Sequence, residues 1–188
     1  MRKGEGIIEV GGARAEIKLE LDGAGEWDID SGSGFLDHIL GALAKMGEID
    51  VSAKAEGGVA PQRARAVGLA LGAAFAAALG DKRGIKRYGW AAVPMDEAVA
   101  KVALDLSGRA YLVTKGEFCG DMIADLATQD VLATLSALVV GGSLTLNVEF
   151  DGVNDHHKAE SIFKALGLAF KEAKKVEGKG VLSTKGVL

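Results

Sequence analysis

The sequence contains few of the residues on which disulfide scaffolds and nucleic-acid binders depend. Cys119 is the only cysteine, which excludes an intrachain disulfide and a zinc site built from several cysteines. Lysine and arginine number 22 against 26 acidic residues, so the net charge is -4. A protein that binds nucleic acid without sequence preference is normally basic, and this charge balance therefore argues against a nucleic-acid partner.

No segment predicts a membrane span or a linker. Residues 66–80 are uncharged, but they are too short and too rich in Ala and Gly to cross a bilayer. Residues 131–148 are interrupted by Gly141-Gly142 and continue with strand-like alternation. The first ten residues lack the apolar core of a signal peptide. We therefore expect a cytoplasmic protein with no membrane partner, and 188 residues can bury a core without disulfides.

Hydrophobic periodicity predicts five elements in the first half of the chain. Apolar residues that alternate with polar ones indicate strands, and apolar residues three or four apart indicate helices. A turn at 22–25 is predicted to connect the first two strands as a hairpin. The predicted order is strand, strand, helix, strand, helix, over residues 15–21, 26–30, 35–46, 49–55 and 61–78.

The second half repeats this order, which predicts a duplicated α+β fold. The corresponding strands and helices are predicted over residues 98–106, 109–115, 128–140, 144–150 and from Asn154 or Asp155 onward, with Thr128 as a possible cap. Val51, Val67, Leu71 and Phe75 each have an apolar counterpart 95 residues later, whereas the first turns are only 85 apart. The second half therefore carries about ten extra residues before its first helix. We predict two half-domains, 1–82 and 83–188, that share one core, each a small sheet with two helices on one face.

Residues 154–160 (Asn-Asp-His-His-Lys-Ala-Glu) contain the sharpest local motif. On a helix, His156 and Glu160 are four residues apart and His157 and Glu160 are three apart, so the three side chains share one face. Two imidazoles and a carboxylate suit Mn, Fe or Zn. The alternative is a pair of histidines near a helix cap that simply favour solvent.

Basic residues beside glycine turns form a second signal. They lie within residues 84–89, 107–109 and 183–186, where cations and exposed backbone N–H groups suit a phosphate. Solubilising surface charge is the alternative. Pro94-Met95-Asp96-Glu97 either presents carboxylates or begins a strand.

Taken together, these segments resemble the imidazoleglycerol-phosphate dehydratase family of histidine biosynthesis. The matching segments, in the order in which the family has them, are residues 35–38, 84–89, 94–98, 104–109, 154–160, 163–165 and 183–186. The resemblance implies a lyase of duplicated α+β fold that uses two divalent metals, usually manganese, to hold the imidazole of an imidazole phosphate substrate. It also implies shells of twenty-four subunits with active sites across subunit boundaries.

The resemblance also implies roles for particular residues. It implies metal-ligand roles for His38, His156, His157 and Glu160, and Glu160 is the expected catalytic residue. It implies phosphate or substrate contacts for Arg87, Arg109, Lys164, Ser183, Thr184 and Lys185.

The chain departs from the family pattern at half of the expected ligands. A second family His-His-x-x-Glu motif falls on Pro61, Gln62 and Arg65, and the counterpart of His38 is Ala133. Proline and alanine cannot bind a metal, and Arg65 places a permanent cation where a carboxylate is expected. We therefore expect Mn²⁺ or another divalent metal at reduced occupancy, or none.

Three hypotheses follow from these departures. The first is a dehydratase with an altered, depleted metal site. The second is a non-catalytic family member that serves as a structural or phosphate-ligand-binding subunit. The third is a mixed particle in which an active paralogue supplies the missing ligands.

Overall fold

Two four-stranded sheets enclose four helices in the computed structural model, which describes residues 1–183. The helices are α1 (Gly34–Gly47), α2 (Ala60–Leu79), α3 (Thr128–Gly142) and α4 (Asp155–Ala173). The strands of the first sheet are β1 (Lys3–Val10), β2 (Ala13–Glu20), β3 (Trp27–Asp30) and β4 (Asp50–Gly57). Those of the second half are β5 (Tyr88–Met95), β6 (Ala98–Asp105), β7 (Tyr111–Lys115), β8 (Met122–Ile123), β9 (Leu126–Ala127) and β10 (Thr145–Asp151).

The strand order corrects the predicted hairpin around residues 22–25. The two strands that it was predicted to pair are β2 and β3, and they are not neighbours in the sheet. The sheets have the orders β1-β2-β4-β3 and β5-β6-β10-β7. β4 lies between β2 and β3, antiparallel to β2 and parallel to β3. After the turn at 22–25 the chain therefore passes to the far side of β4 before it forms β3. β4 occupies an inner position of the sheet, where its apolar residues are buried against the helices.

Each half also has one strand in front of the predicted unit. These strands, β1 and β5, interrupt their apolar alternation with glycine. A Cβ on Gly4 would lie 2.0 Å from the Ala74 carbonyl oxygen, and one on Gly89 would lie 1.9 Å from that of Ala169. Glycine at these positions lets α2 and α4 pack directly onto the strand backbone.

The helix packing repeats between the two halves. A Cβ on Gly72 of α2 would lie 2.3 Å from the Leu138 carbonyl oxygen of α3, and one on Gly167 of α4 would lie 2.5 Å from that of Leu43 in α1. Phe75 and Phe170, which are 95 residues apart, stack at a centroid distance of 4.1 Å. The duplicated α+β fold is therefore confirmed, whereas the boundary between residues 82 and 83 remains a prediction.

The extra residues of the second half form one segment, Gly116–Ala127, between β7 and α3. This inserted segment contains the short β8–β9 hairpin. It ends at α3, whose N-cap is Ala127 and not the predicted Thr128, because the Thr128 hydroxyl donates to the Gly120 carbonyl within the segment. No helix among residues 1–183 is long and apolar enough to cross a membrane.

Candidate metal centre

The N-terminal ends of α1 and α4 lie side by side and carry the predicted ligands. His38 is in the second turn of α1, whereas His156, His157 and Glu160 are in the first two turns of α4. The close crossing at Gly167 holds the two helices together. Asn154 caps α4, because its Oδ1 accepts the N–H groups of His156 and His157.

Three of the four predicted ligands converge at this end. Glu160 Oε2 lies 2.9 Å from His38 Nε2 and 3.1 Å from His156 Nε2. One ligand atom from each of the three residues lies within 4.8 Å of the other two. Ligand atoms bound at roughly 2.0–2.2 Å to one metal lie about 3–3.5 Å apart, so these donors fit a single divalent ion.

Glu160 is charged although it is almost buried. Its side chain is only 8% exposed, and Lys164 Nζ lies 2.7 Å from its Oε1. Burial opposes ionisation, but hydrogen bonds from Lys164 and His38 outweigh it and lower the pKa of Glu160 to about 2. The cluster therefore offers an ionised carboxylate beside two histidine rings, with Lys164 as the counter-ion of the carboxylate.

The fourth predicted ligand, His157, lies outside this cluster. Its Nδ1 is 2.8 Å from Glu97 Oε2, and its Nε2 is 3.7 Å from Asp96 Oδ2. Asp96 and Glu97 form the turn between β5 and β6, so they present carboxylates and do not begin a strand. The sequence predicts these carboxylates but carries no sign of their contact with His157, because Glu97 and His157 are 60 residues apart.

The inserted segment Gly116–Ala127 contacts both ligand-bearing helices near their first turns. Asp125 accepts the N–H groups of Gly34 and Phe35 at 2.7 and 3.0 Å and the Ser33 hydroxyl at 3.1 Å. At the other end of the segment, Asp155 accepts the N–H groups of Cys119 and Gly120, and buried Lys158 donates to the Glu117 carbonyl. These contacts were not predicted, because nothing local to Asp125 marks it as the cap of a helix 90 residues earlier.

The predicted phosphate contacts lie in different surroundings. Arg87 donates two hydrogen bonds to Asp105 and one to the Leu182 carbonyl, which fixes the chain next to Ser183. The Arg109 side chain is exposed after β6. Lys164 pairs with Glu160, whereas Thr184 and Lys185 lie outside the described residues.

The corresponding end of the first half lacks this donor set. Gln62 Oε1 accepts the Val59 N–H at 3.0 Å, so Gln62 caps the start of α2, and Arg65 is exposed. Within residues 1–183, the group around His38 is the one set of three or more His, Cys, Asp or Glu side chains placed to hold a metal. The expected loss of metal at the substituted positions remains a prediction.

Comparison with known proteins identifies the family. A sequence profile for imidazoleglycerol-phosphate dehydratase matches residues 31–170, about three quarters of the chain. The chain belongs to the imidazoleglycerol-phosphate dehydratase family. The imidazoleglycerol-phosphate dehydratase of Methanococcoides burtonii is 44% identical over 176 residues, covering 92% of each chain. That of Methanothermobacter thermautotrophicus is 41% identical and covers 100% of this chain and 98% of its own.

Solved structures of imidazoleglycerol-phosphate dehydratases share the fold. The Pyrococcus furiosus structure matches with a TM-score of 0.85 at 28% identity, covering 97% of this chain and 99% of that one. The Staphylococcus aureus structure matches with a TM-score of 0.84 at 27% identity, covering 93% and 99%. The family assignment thus rests on sequence and fold together.

Proposed function

We propose that this chain is a metal-assisted lyase that dehydrates imidazoleglycerol phosphate to imidazoleacetol phosphate in histidine biosynthesis. The observation that carries the proposal is the convergence of His38, His156 and Glu160 in a dehydratase fold. The reaction removes a C–H proton and a hydroxyl group as water, which leaves an enol that becomes the ketone. A group of residues that can hold a cation suits this reaction, because negative charge must be stabilised while the proton leaves.

The three converging residues would hold one divalent ion, for which we propose Mn²⁺. Such an ion supplies Lewis-acid stabilisation of charge on the imidazole ring. His38 and His156 contribute neutral nitrogen donors, and Glu160 contributes the negative charge. Where Glu160 binds a cation in place of Lys164, the Lys164 ammonium becomes free for the substrate phosphate.

We propose that the phosphate contacts include Arg109, Ser183, Thr184 and Lys185 together with Lys164. Arg109 supports this role through its exposure beside the Ser107 turn, where the Ser107 hydroxyl accepts the Arg109 N–H. Arg87 is committed to Asp105 and to the Leu182 carbonyl. It therefore contributes by holding the chain that leads to Ser183, and a phosphate is a second partner for its guanidinium.

We propose assembly into the twenty-four-subunit shell that the resemblance implies, in the cytoplasm. The outer face of the second sheet supports self-association, because it exposes aromatic side chains: Trp90 is 76% exposed and Tyr111 is 64% exposed. The single cysteine suits a reducing compartment. Light scattering on purified protein should give the mass of a large symmetric oligomer, and a monomer or dimer at micromolar concentration would contradict the shell.

The decisive test of the activity is a dehydration assay with imidazoleglycerol phosphate and added Mn²⁺. We expect conversion to imidazoleacetol phosphate, which mass spectrometry detects as the loss of one water. The matched control is Glu160→Gln, which keeps the side-chain size but removes the charge. A folded, metal-loaded chain without turnover would overturn the proposal and favour a non-catalytic phosphate-binding subunit, unless addition of a complete paralogue restored activity and identified a mixed particle.

A further inference from the structure

Glu97 makes three hydrogen bonds at the start of α4, away from the three-residue cluster. Its Oε1 accepts the N–H groups of Val153 and Asn154 at 3.1 and 2.7 Å. Its Oε2 lies 2.8 Å from His157 Nδ1. The turn between β5 and β6 is thereby joined to the first turn of α4, and the imidazole is held by a carboxylate whose own orientation is fixed.

The charge of Glu97 determines which nitrogen of His157 carries the proton. Glu97 Oε1 accepts two backbone N–H groups, and this arrangement favours the ionised carboxylate. An ionised carboxylate can only accept hydrogen bonds, so His157 Nδ1 must be the donor. In a neutral ring, Nε2 then keeps its electron pair.

The surroundings of Nε2 leave this electron pair available. The nearest carboxylate oxygen, Asp96 Oδ2, is 3.7 Å away, which is beyond hydrogen-bond distance. The adjacent His156 uses its nitrogen differently, because its Nε2 contacts Glu160 inside the cluster. The two neighbouring histidines therefore present Nε2 at two different places.

We propose that Glu97 is a positioning residue that holds His157 in the Nδ1–H tautomer and aims its Nε2 as an electron-pair donor outside the His38–His156–Glu160 cluster. This assignment concerns the His157 ring alone and does not depend on the metal ion proposed for the three-residue cluster. A carboxylate that fixes the far nitrogen of an imidazole commonly sets both the orientation and the basicity of the ligating nitrogen. Glu97 is assigned that supporting role here.

Glu97→Gln tests this role directly. The orientation that keeps both backbone hydrogen bonds on Oε1 turns the amide NH₂ toward His157 Nδ1. An amide NH₂ only donates, so His157 should change to the Nε2–H tautomer. Glu97→Asp retains a carboxylate and should retain the tautomer in part, while Glu5→Gln removes the same charge from an exposed position of β1 and should change nothing.

The measurement is solid-state ¹⁵N NMR of the full chain labelled in its three histidine rings, after metal removal, at about pH 8.5, where imidazole is neutral. His157→Gln identifies the His157 signals by their loss. We expect the Nδ1–H tautomer in the wild type and a change of one ring to Nε2–H in Glu97→Gln.

Two results would overturn the inference. One is a wild-type His157 that is already in the Nε2–H form, a result that requires no variant to fold. The other is a folded Glu97→Gln variant with an unchanged His157 spectrum. Absence of dehydratase activity in every form, with the tautomers as expected, would instead refute the proposed function and leave the role of Glu97 intact.

Discussion

Glu160 makes more of the contacts in the candidate metal centre than any other single side chain. One of its oxygens contacts His38 and His156, and the other contacts Lys164. It is also the only carboxylate of the three-residue group, so it carries all the negative charge that the group offers to a cation. Affinity for a divalent metal depends steeply on that charge.

Glu160→Gln should therefore weaken metal binding while preserving the shape of the site. We expect affinity for Mn²⁺ to fall at least about tenfold, because a neutral amide replaces the only carboxylate ligand. Equilibrium dialysis against Mn²⁺ measures the change. Glu5→Gln, which removes a carboxylate from an exposed position of β1, is the control. Equal uptake by Glu160→Gln and the wild type would show that the metal binds elsewhere.

The inserted segment Gly116–Ala127 connects the N-terminal ends of α1 and α4, the two helices that carry the predicted metal ligands. Asp125 caps α1, and the backbone of Cys119 and Gly120 binds Asp155 of α4. The first half has no equivalent segment, because a short stretch of residues 31–33 leads from β3 to α1. The segment therefore helps to fix the separation of His38 from Glu160.

Asp125→Ala should affect both stability and the cluster. Loss of a helix-capping carboxylate costs about 1 kcal/mol, which urea unfolding can measure. Metal affinity should fall as well, because the start of α1 loses its anchor. Asp121→Ala in the same segment is the control, since its backbone carbonyl, which binds Thr128, is retained. An Asp125→Ala variant with unchanged stability and affinity would show that the segment does not position α1.

The positions of most elements could be predicted, but their pairing could not. Periodicity located α1 to α4 to within a few residues, because each buries one apolar face. β1 and β5 escaped because glycines such as Gly4 and Gly89 replace apolar residues where a helix backbone lies against the strand. Periodicity also carries no information on which strand separates β2 from β3.

The sequence predicts those contacts of the candidate site that join residues close together along the chain. The spacing of His156 and Glu160 along one helix places them together, and the resemblance added His38 from α1. The separation of His157 depends on Glu97, which the turn after β5 brings to the start of α4. Such long-range contacts arise from the assembled fold and have no signature in the spacing of residues.

Across the whole molecule, hydrogen bonds and ion pairs of basic side chains connect the C-terminal end of α4 to the beginning of each sheet. Arg2 donates to Asp22 and to the Lys174 carbonyl, and Lys86 pairs with Glu172. Hydrogen bonds from Arg2 lower the pKa of Asp22 to about 2, and hydrogen bonds from Lys175 and Lys86 lower that of Glu172 to about 2. Both carboxylates are partly exposed, so each contributes modestly to stability.

The stability of the protein should consequently decrease in acid. Because the folded-state pKa values of Asp22 and Glu172 lie below their ordinary values, the unfolded chain binds protons first as the pH falls. The free energy of unfolding should therefore decrease from about pH 4.5 toward about pH 2, and the contribution is complete above this range. Urea unfolding at about pH 5 and about pH 3 measures it. Asp22→Asn should show a smaller decrease than Glu5→Gln, and equal decreases would contradict the role of Asp22.

The two ends of the duplicated molecule differ in chemistry although they share a fold. One end has His38, His156 and Glu160, whereas the corresponding end has Ala133, Pro61 and Arg65. We therefore predict that each chain holds a single divalent metal ion through the first of these sets.

The metal content per chain tests this claim most directly. The oligomer is loaded with Mn²⁺, dialysed to remove weakly bound ions and analysed by elemental mass spectrometry against protein concentration. We expect one ion per chain in the wild type and a loss of most of that metal in Glu160→Gln. Two ions per chain, or one that Glu160→Gln retains in full, would contradict it.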